Sequence, residues 1–407
     1  EIYRPALARW GMTDLYAEYN NYQLLLTEME IGGIPIDRRI VDTALELGTI
    51  NRERLLKEIH KAAGYPLNPQ SPPQVRTWLD LPNAQEETIL RSNHPQARSL
   101  IDYKAYGKRD STYLRRFIDY SDPSSLLHVQ LNLTNNEQGS GGTRSSRLSC
   151  SRPNMQAMPL PRTNPIYTPC RSAIVAQPGY FLGEADYKQI EVRIATHYSQ
   201  EPALFDVFSS GRDIYQEFAA EVQYLVPGFT RQDAKILHLA IQYGAGAWKV
   251  AEMLGCSELE ARRLRNAWHA RFPRISRMMR SLQQKAEKNG VIRLWTGRWG
   301  HFDGERKGNG CKSPYYTAWN RLIQGSVAEI VRQAMVRLRA PLSALGGRML
   351  LQVHDSILFL GREDRRAETC RLMRTVMEDF PMWDVPTLVD IKTGPNWLDT
   401  QEWKEAA

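Results

Sequence analysis

The sequence predicts an α+β fold in which short apolar strands, far apart along the chain, flank a long helical insertion. Three observations predict it. Apolar runs of strand length fall near residues 180, 350–360 and 390. Between the first and second of these, residues 203–290 read as mostly helical. Two of the strand ends carry an isolated carboxylate, Asp186 and Asp355, where a plain core strand needs none.

Taken in order, residues 1–36 are aromatic-rich and helical up to the turn Gly32-Gly33-Ile34-Pro35. Asp37 is placed to cap an amphipathic helix whose apolar stripe includes Ile40, Val41, Ala44, Leu55 and Ile59, and which stops near Gly64. Asn68-Pro69-Gln70-Ser71-Pro72-Pro73 is a loop. Residues 97–118 form a second helix, with Lys104, Lys108, Arg109, Arg115 and Arg116 interleaved with Tyr103, Tyr106 and Tyr113. Residues 128–133 alternate as a strand. Residues 134–146 are rich in Gly, Ser and Asn, with Gly139, Gly141, Gly142 and Arg144, and Arg147 follows. Such a segment suits settling on a phosphate backbone, and a plain linker has the same composition.

Tyr180-Phe181-Leu182 leads to Asp186, and Ile190, Ile194 and His197 then repeat at helical spacing, so a helix is predicted from close to Tyr187. Capping boxes at Thr230-Arg231-Gln232-Asp233 and Ser257–Glu260 start two further helices, and Pro273 interrupts the second. Residues 291–295 with Gly297 read as a strand and turn, and residues 318–338 as a helix ending before Pro341. Residues 349–360 are two strands meeting at His354-Asp355. A helix over 363–380 and a strand over 387–391 complete the chain.

Composition narrows the classes. With 407 residues there is room for two or three subdomains. No run of 18 apolar residues occurs, so no membrane-spanning helix is expected. The net charge of +8 is compatible with a polyanionic partner. Five scattered cysteines without a CxxC offer neither a zinc site nor a disulfide framework, which fits a reducing cytoplasm. The chain starts at Glu1 rather than Met, so a fragment of a longer protein is expected.

The chemistry lies in three places. Arg231, Lys235, Leu239 and Tyr243 are spaced by four and share one helix face, offering two cations for a triphosphate and a ring for a base or sugar. Asp186 ends one strand and Asp355 sits in a hairpin turn. If those strands are neighbours, the two carboxylates converge, and converging carboxylates need a cation between them. Oxygen ligands with open positions suit magnesium bound together with a substrate phosphate.

These residues resemble the motifs of family A DNA polymerases. Asp186-Tyr187-Lys188-Gln189-Ile190-Glu191-Val192-Arg193 is similar to the first motif, Arg231, Lys235 and Tyr243-Gly244 to the second, and Val353-His354-Asp355 to the third. Arg147-Leu148-Ser149, the segment Asn320 to Gln324, and Thr393-Gly394-Pro395-Asn396-Trp397 extend the likeness over nearly the whole chain. The resemblance implies a right hand with an antiparallel palm sheet. Residues 1–36 would approach the palm, 37–127 form the thumb, 128–202 the palm with the first motif, 203–300 the fingers, and 301–407 the palm with the third motif.

It further implies template-directed DNA synthesis, with primer–template DNA and deoxynucleoside triphosphates as partners, in a monomer of a bacterial or phage-infected cytoplasm. Asp186, Asp355 and the backbone carbonyl of Tyr187 would ligate two magnesium ions, with manganese as a substitute. Gln189, Glu191, Arg231, Lys235, Leu239 and Tyr243 would face the nucleotide, Lys235 also protonating the leaving pyrophosphate. Glu191 beside Tyr243 would block a 2′-hydroxyl. Arg147, Asn320, Gln324 and His354 would touch primer–template. The proofreading and 5′-nuclease domains of some relatives are absent from this stretch.

Three positions depart from the pattern. Ser356 replaces a Glu, Leu239 an aromatic residue of the fingers helix, and Tyr215 a His. A phage-type RNA polymerase shares a His-Asp-Ser third motif, but Glu191 argues against ribonucleotide use. A non-catalytic DNA binder has no need of Asp186, Asp355, Arg231 and Lys235 as a set.

Overall fold

The computed structural model describes residues 4–133, 143, 146–302 and 314–405. Helix α1 (Thr13–Gly32) buries Tyr22, Leu25, Leu26 and Met29. Helix α2 (Arg38–Ala63) begins at Asp37, whose side chain accepts from the Arg39 N–H, and stops at Gly64 in the left-handed region (φ 78°). Helix α3 (Ala97–Lys108) lies against α2 and continues through a π-helical turn, Arg109–Leu114, into Arg115–Asp119. Leu55, Ile59, Leu67, Val75, Ile89 and Leu100 close a small core of their own there. Two short helices, Pro72–Leu79 and Glu86–Arg91, fill the stretch between, which carries no long apolar stripe.

Strand β1 (Tyr180–Tyr187) is the middle strand of a five-stranded sheet. Helix α4 (Ile190–Ser199) follows it. The helix predicted from Tyr187 therefore starts three residues later. The physical reason is strand pairing: Tyr187 opposes Val389, and the Lys188 N–H donates to Leu388 O at 2.8 Å. Gln189, at φ 49°, turns the chain into the helix. Arg193 locks that turn by donating to Lys188 O at 2.9 Å and Pro386 O at 2.8 Å.

The insertion that follows includes α5 (Arg231–Gln242), Ala247–Leu254, Glu258–Arg271 and Pro273–Asn289. Both predicted capping boxes are formed, and Pro273 starts a new helix. Ala234, Leu237, Ile241, Leu264, Trp268 and Phe272 make its interior.

Helix α6 (Ala318–Ala344) runs through Pro341 instead of ending before it. Proline there removes a single bond in the last turn, and the Leu345 N–H closes the helix on Pro341 O (3.3 Å) and Leu342 O (3.1 Å). Strands β2 (Arg348–Val353) and β3 (Ser356–Arg362), helix α7 (Arg366–Glu378), and strands β4 (Val389–Gly394) and β5 (Gln401–Glu402) complete the fold.

The strands form one antiparallel sheet in the order β5-β4-β1-β3-β2, so the α+β expectation stands. Helix α7 packs against β1, β3 and β4, and α1 and α6 against β2. Helices on the sheet explain why β3 reads as an unbroken apolar run. Gly183 is required on β1, because a Cβ there would stand 2.2 Å from the Phe359 ring.

The four described cysteines are free, and no helix among the described residues is long and apolar enough to cross a membrane. Gly139, Gly141, Gly142, Arg144 and Cys311 lie outside the described residues.

Candidate active site

Alternation along β1 buries Ala185 and Tyr187 and turns Glu184 and Asp186 to the other face. Antiparallel register sets Asp186 opposite Ser356 on β3 and opposite Asp390 on β4. The β2–β3 hairpin closes with the Val353–Ser356 pair, which leaves His354 and Asp355 as its two-residue turn beside Asp186. The strands are neighbours, as convergence of the two carboxylates requires.

The turn is held from several directions. His354 adopts φ 57°, uncommon for a residue with a side chain. The Gln352 side chain donates to His354 O at 3.0 Å, and its own oxygen accepts from the Tyr22 hydroxyl at 2.8 Å. Gln156 donates to Gln352 O at 2.9 Å. The Tyr187 N–H donates to Asp355 O at 3.4 Å, joining the two motifs through backbone. Ser356 turns its hydroxyl to Val353 O at 3.0 Å, so it serves the hairpin.

Part of Asp186 reaches solvent, yet protein crowds it on most sides. Burial first, then the charges of Asp355 and Glu184, push its carboxyl up to about 7. Asp355 is likewise raised, by burial and then by Glu191, against the pull of a backbone hydrogen bond, Arg147 and His354. The nearby cations, Lys392 for Asp186 and Arg147 with His354 for Asp355, offset this only in part. Tyr187 commits its phenol to Met377 O at 2.8 Å, so only its backbone faces the site. Among the described residues no three His, Cys, Asp or Glu side chains form a metal cage.

Helix α5 presents the second half. Its buried face carries Ala234, Leu237, His238 and Ile241, while Arg231, Lys235 and Tyr243 are exposed and Leu239 is half-buried. The predicted stripe is therefore the outward face. Arg231 pairs with Asp213 at 2.6 Å and lies over the Tyr215 ring. Tyr215 is buried edge-on against His238, so its place here is beneath Arg231. His238 accepts from Trp268 Nε1 at 3.0 Å, and burial pushes it down to about 4.

Between the two halves lies a polar cluster. Tyr243 donates its hydroxyl to Glu191 Oε2 at 2.7 Å, and Arg147 ion-pairs with Oε1. Tyr243 is also bonded to Gln324. Of the predicted residues, Glu191, Arg147, Tyr243 and Gln324 are joined by side-chain contacts, Tyr187, His354 and Asp355 meet in the backbone of the turn beside Asp186, and Asp355 feels the charges of Glu191 and Arg147. Gln189 is exposed at the start of α4, and Asn320 lies on α6 with a buried Oδ1 that has no partner among the described residues.

Sequence reading missed Asp390, Asp213 and the Tyr22–Gln352–Gln156 support. A glutamine inside an apolar strand was the available signal for the last, since a buried amide demands partners.

The model of DNA polymerase family A matches residues 44–399. DNA polymerase I of Deinococcus radiodurans is 29% identical over 401 residues, covering 93% of this chain and 41% of that protein. The thermostable DNA polymerase I of Thermus aquaticus is 30% identical over 403 residues, covering 93% and 47%. The chain thus spans less than half the length of either relative. The POL domain of Pol1 from M. smegmatis, solved in complex with DNA primer-template and dNTP, superposes with a TM-score of 0.85 at 25% identity, over 96% of this chain and 72% of that one.

Proposed function

This chain belongs to DNA polymerase family A, and from that premise we propose that it extends the 3′-hydroxyl of a DNA primer along a template, consuming deoxynucleoside triphosphates and releasing pyrophosphate. The observation that carries the proposal is the register of β1 and β3, which sets Asp186 beside the Asp355 turn. That the similar POL domain from M. smegmatis was solved in complex with DNA primer-template and dNTP supports the same reading.

In this reading the sheet and its flanking segments (1–36, 128–202 and 301–407) are the palm, residues 37–127 the thumb and residues 203–300 the fingers. A single chain supplies every residue named, so a monomer suffices.

The donor set fits magnesium. Asp186 and Asp355 are hard oxygen donors, both raised in pKa by burial first and then by neighbouring carboxylates, and the Tyr187 carbonyl would complete the protein's share. Two carboxylates without a full cage leave positions for water and phosphate oxygens. When bound, two such ions supply activation of the 3′-hydroxyl and neutralisation of charge on the leaving group. Manganese offers the same preference for oxygen donors.

The protein residues do the rest. Arg231 and Lys235 hold the triphosphate on the outward face of α5, and Lys235 delivers a proton to pyrophosphate. Gln189 and Leu239 line the nucleotide, Leu239 giving less stacking area than an aromatic ring. Glu191, braced on Tyr243, occupies the space of a 2′-hydroxyl. Arg147, Asn320, Gln324 and His354 meet primer–template.

The test is primer extension with deoxyribonucleotides against ribonucleotides, with and without magnesium. Extension restricted to deoxyribonucleotides and dependent on the cation supports the proposal. Efficient ribonucleotide polymerisation, or none with either substrate, refutes it.

A further inference from the structure

Glu191 is held from two sides. Tyr243, the residue just past the end of α5, donates to Oε2 at 2.7 Å. Arg147, from the segment ahead of the Ser149–Ser151 strand, donates to Oε1. Because the donors take different oxygens, they fix the plane of the carboxylate as well as its place. With one donor alone, rotation about the carboxyl bond is free.

The Arg147 and Glu191 side chains retain 23% and 18% exposure. That shields the pair from the screening that makes surface ion pairs nearly worthless. Tyr243 is itself bonded to Gln324, and burial with the Glu191 charge pushes its hydroxyl up to about 12, which keeps it a neutral donor. The cluster adjoins the catalytic turn: Glu191 raises and Arg147 lowers the proton affinity of Asp355. These contacts are made by the chain alone.

We propose that Arg147 is a positioning residue for sugar selection, holding Glu191 Oε1 so that the carboxylate stands where a ribose 2′-hydroxyl would lie. This rests on the assignment of Glu191 as the sugar gate and adds a second anchor to it. The role is separable from primer–template contact. A residue that grips DNA alone changes incorporation of both sugars equally, whereas one acting through Glu191 changes their ratio.

Single-nucleotide incorporation of deoxyribonucleotide and ribonucleotide is measured at saturating primer–template. The proteins are the unaltered chain, Arg147→Ala, Arg147→Lys, Glu191→Ala and the double alanine variant. Arg147→Ala raises the ribonucleotide-to-deoxyribonucleotide ratio of kcat/KM by about ten-fold, the worth of one charge-assisted hydrogen bond. Arg147→Lys, which keeps a charged donor, returns much of the discrimination. Adding Arg147→Ala to Glu191→Ala raises the ratio no further, because the two act as one unit.

An unchanged ratio in Arg147→Ala beside a raised ratio in Glu191→Ala overturns the role of Arg147 and leaves the gate standing. A further rise in the double variant also overturns it, since Arg147 then acts without Glu191. Unchanged ratios in both single variants overturn the gate itself.

Discussion

In the proposed reaction the central sheet and helix α5 would meet one substrate in different ways. The sheet presents two carboxylates from backbone that is fixed on every side: β1 between β3 and β4, and the His354-Asp355 turn tied to Gln352, Gln156 and Tyr22. Helix α5 presents long side chains on an open face, with Arg231 in a half-exposed pair and Lys235 in solvent. The protonation balance also differs in sign. The sheet's carboxylates are pushed up and the insertion's buried His238 is pushed down. In the proposed function, the groups assigned to hold ions are placed by rigid backbone, and those assigned to a moving polyphosphate are placed on flexible stems.

The largest effect is expected at the sheet. Asp355→Asn lowers magnesium-dependent extension by about 1,000-fold or more while primer–template affinity survives, since it removes a proposed ion ligand and leaves the basic surface intact. Near-normal extension by this variant, measured in single turnover, breaks the contrast at its root.

Next is pH. Between about 6.5 and 4 the unfolded chain binds a proton that folded His238 refuses, so the fold loses up to about 3 kcal/mol as pH falls. Asp186 acts with the opposite sign: its folded carboxyl keeps a proton up to about pH 7, so its contribution is lost as pH rises from about 4 to 7. In metal-free melting curves, His238→Gln gains on the unaltered chain as pH drops from about 6.5 toward 4, and Asp186→Asn gains as pH rises from about 4 to 7. Parallel curves in either window show that the sign difference is not there.

A smaller effect sharpens the rigidity argument. Gln352→Ala leaves the Tyr22 hydroxyl only the weak Met335 sulfur acceptor at 3.9 Å and loosens His354, costing about 2 kcal/mol by denaturant unfolding together with a fall in kcat. Full activity in this variant means that the turn holds itself. The smallest change belongs to α5. Asp213→Ala removes a half-exposed partner of Arg231 and costs about 0.5 kcal/mol. A loss comparable to that of Gln352→Ala shows that the α5 face is as rigidly built as the sheet.

Much of the fold was legible because its signals are local. The caps at Asp37, Thr230 and Ser257, the stop at Gly64 and the break at Pro273 act within one turn of helix and appear where the residues put them. The failures are places where a partner outweighed the local signal. Pairing with β4 carried β1 through Tyr187, and a last-turn position let α6 absorb Pro341. Ser356 read as a lost carboxylate, and its hydroxyl proves to close the hairpin.

The sequence by itself determined the long helices and the sheet strands, the outward stripe of Arg231, Lys235 and Tyr243, and the two isolated carboxylates, because periodicity and capping are properties of neighbouring residues. Only the tertiary structure decided that Asp186 lies between Ser356 and Asp390, and that Arg147 and Tyr243 share Glu191. Those meetings join residues 44 to 204 positions apart, read as Arg147 to Glu191 and Asp186 to Asp390. No local pattern encodes such distances, because strand register is set by the burial of whole faces.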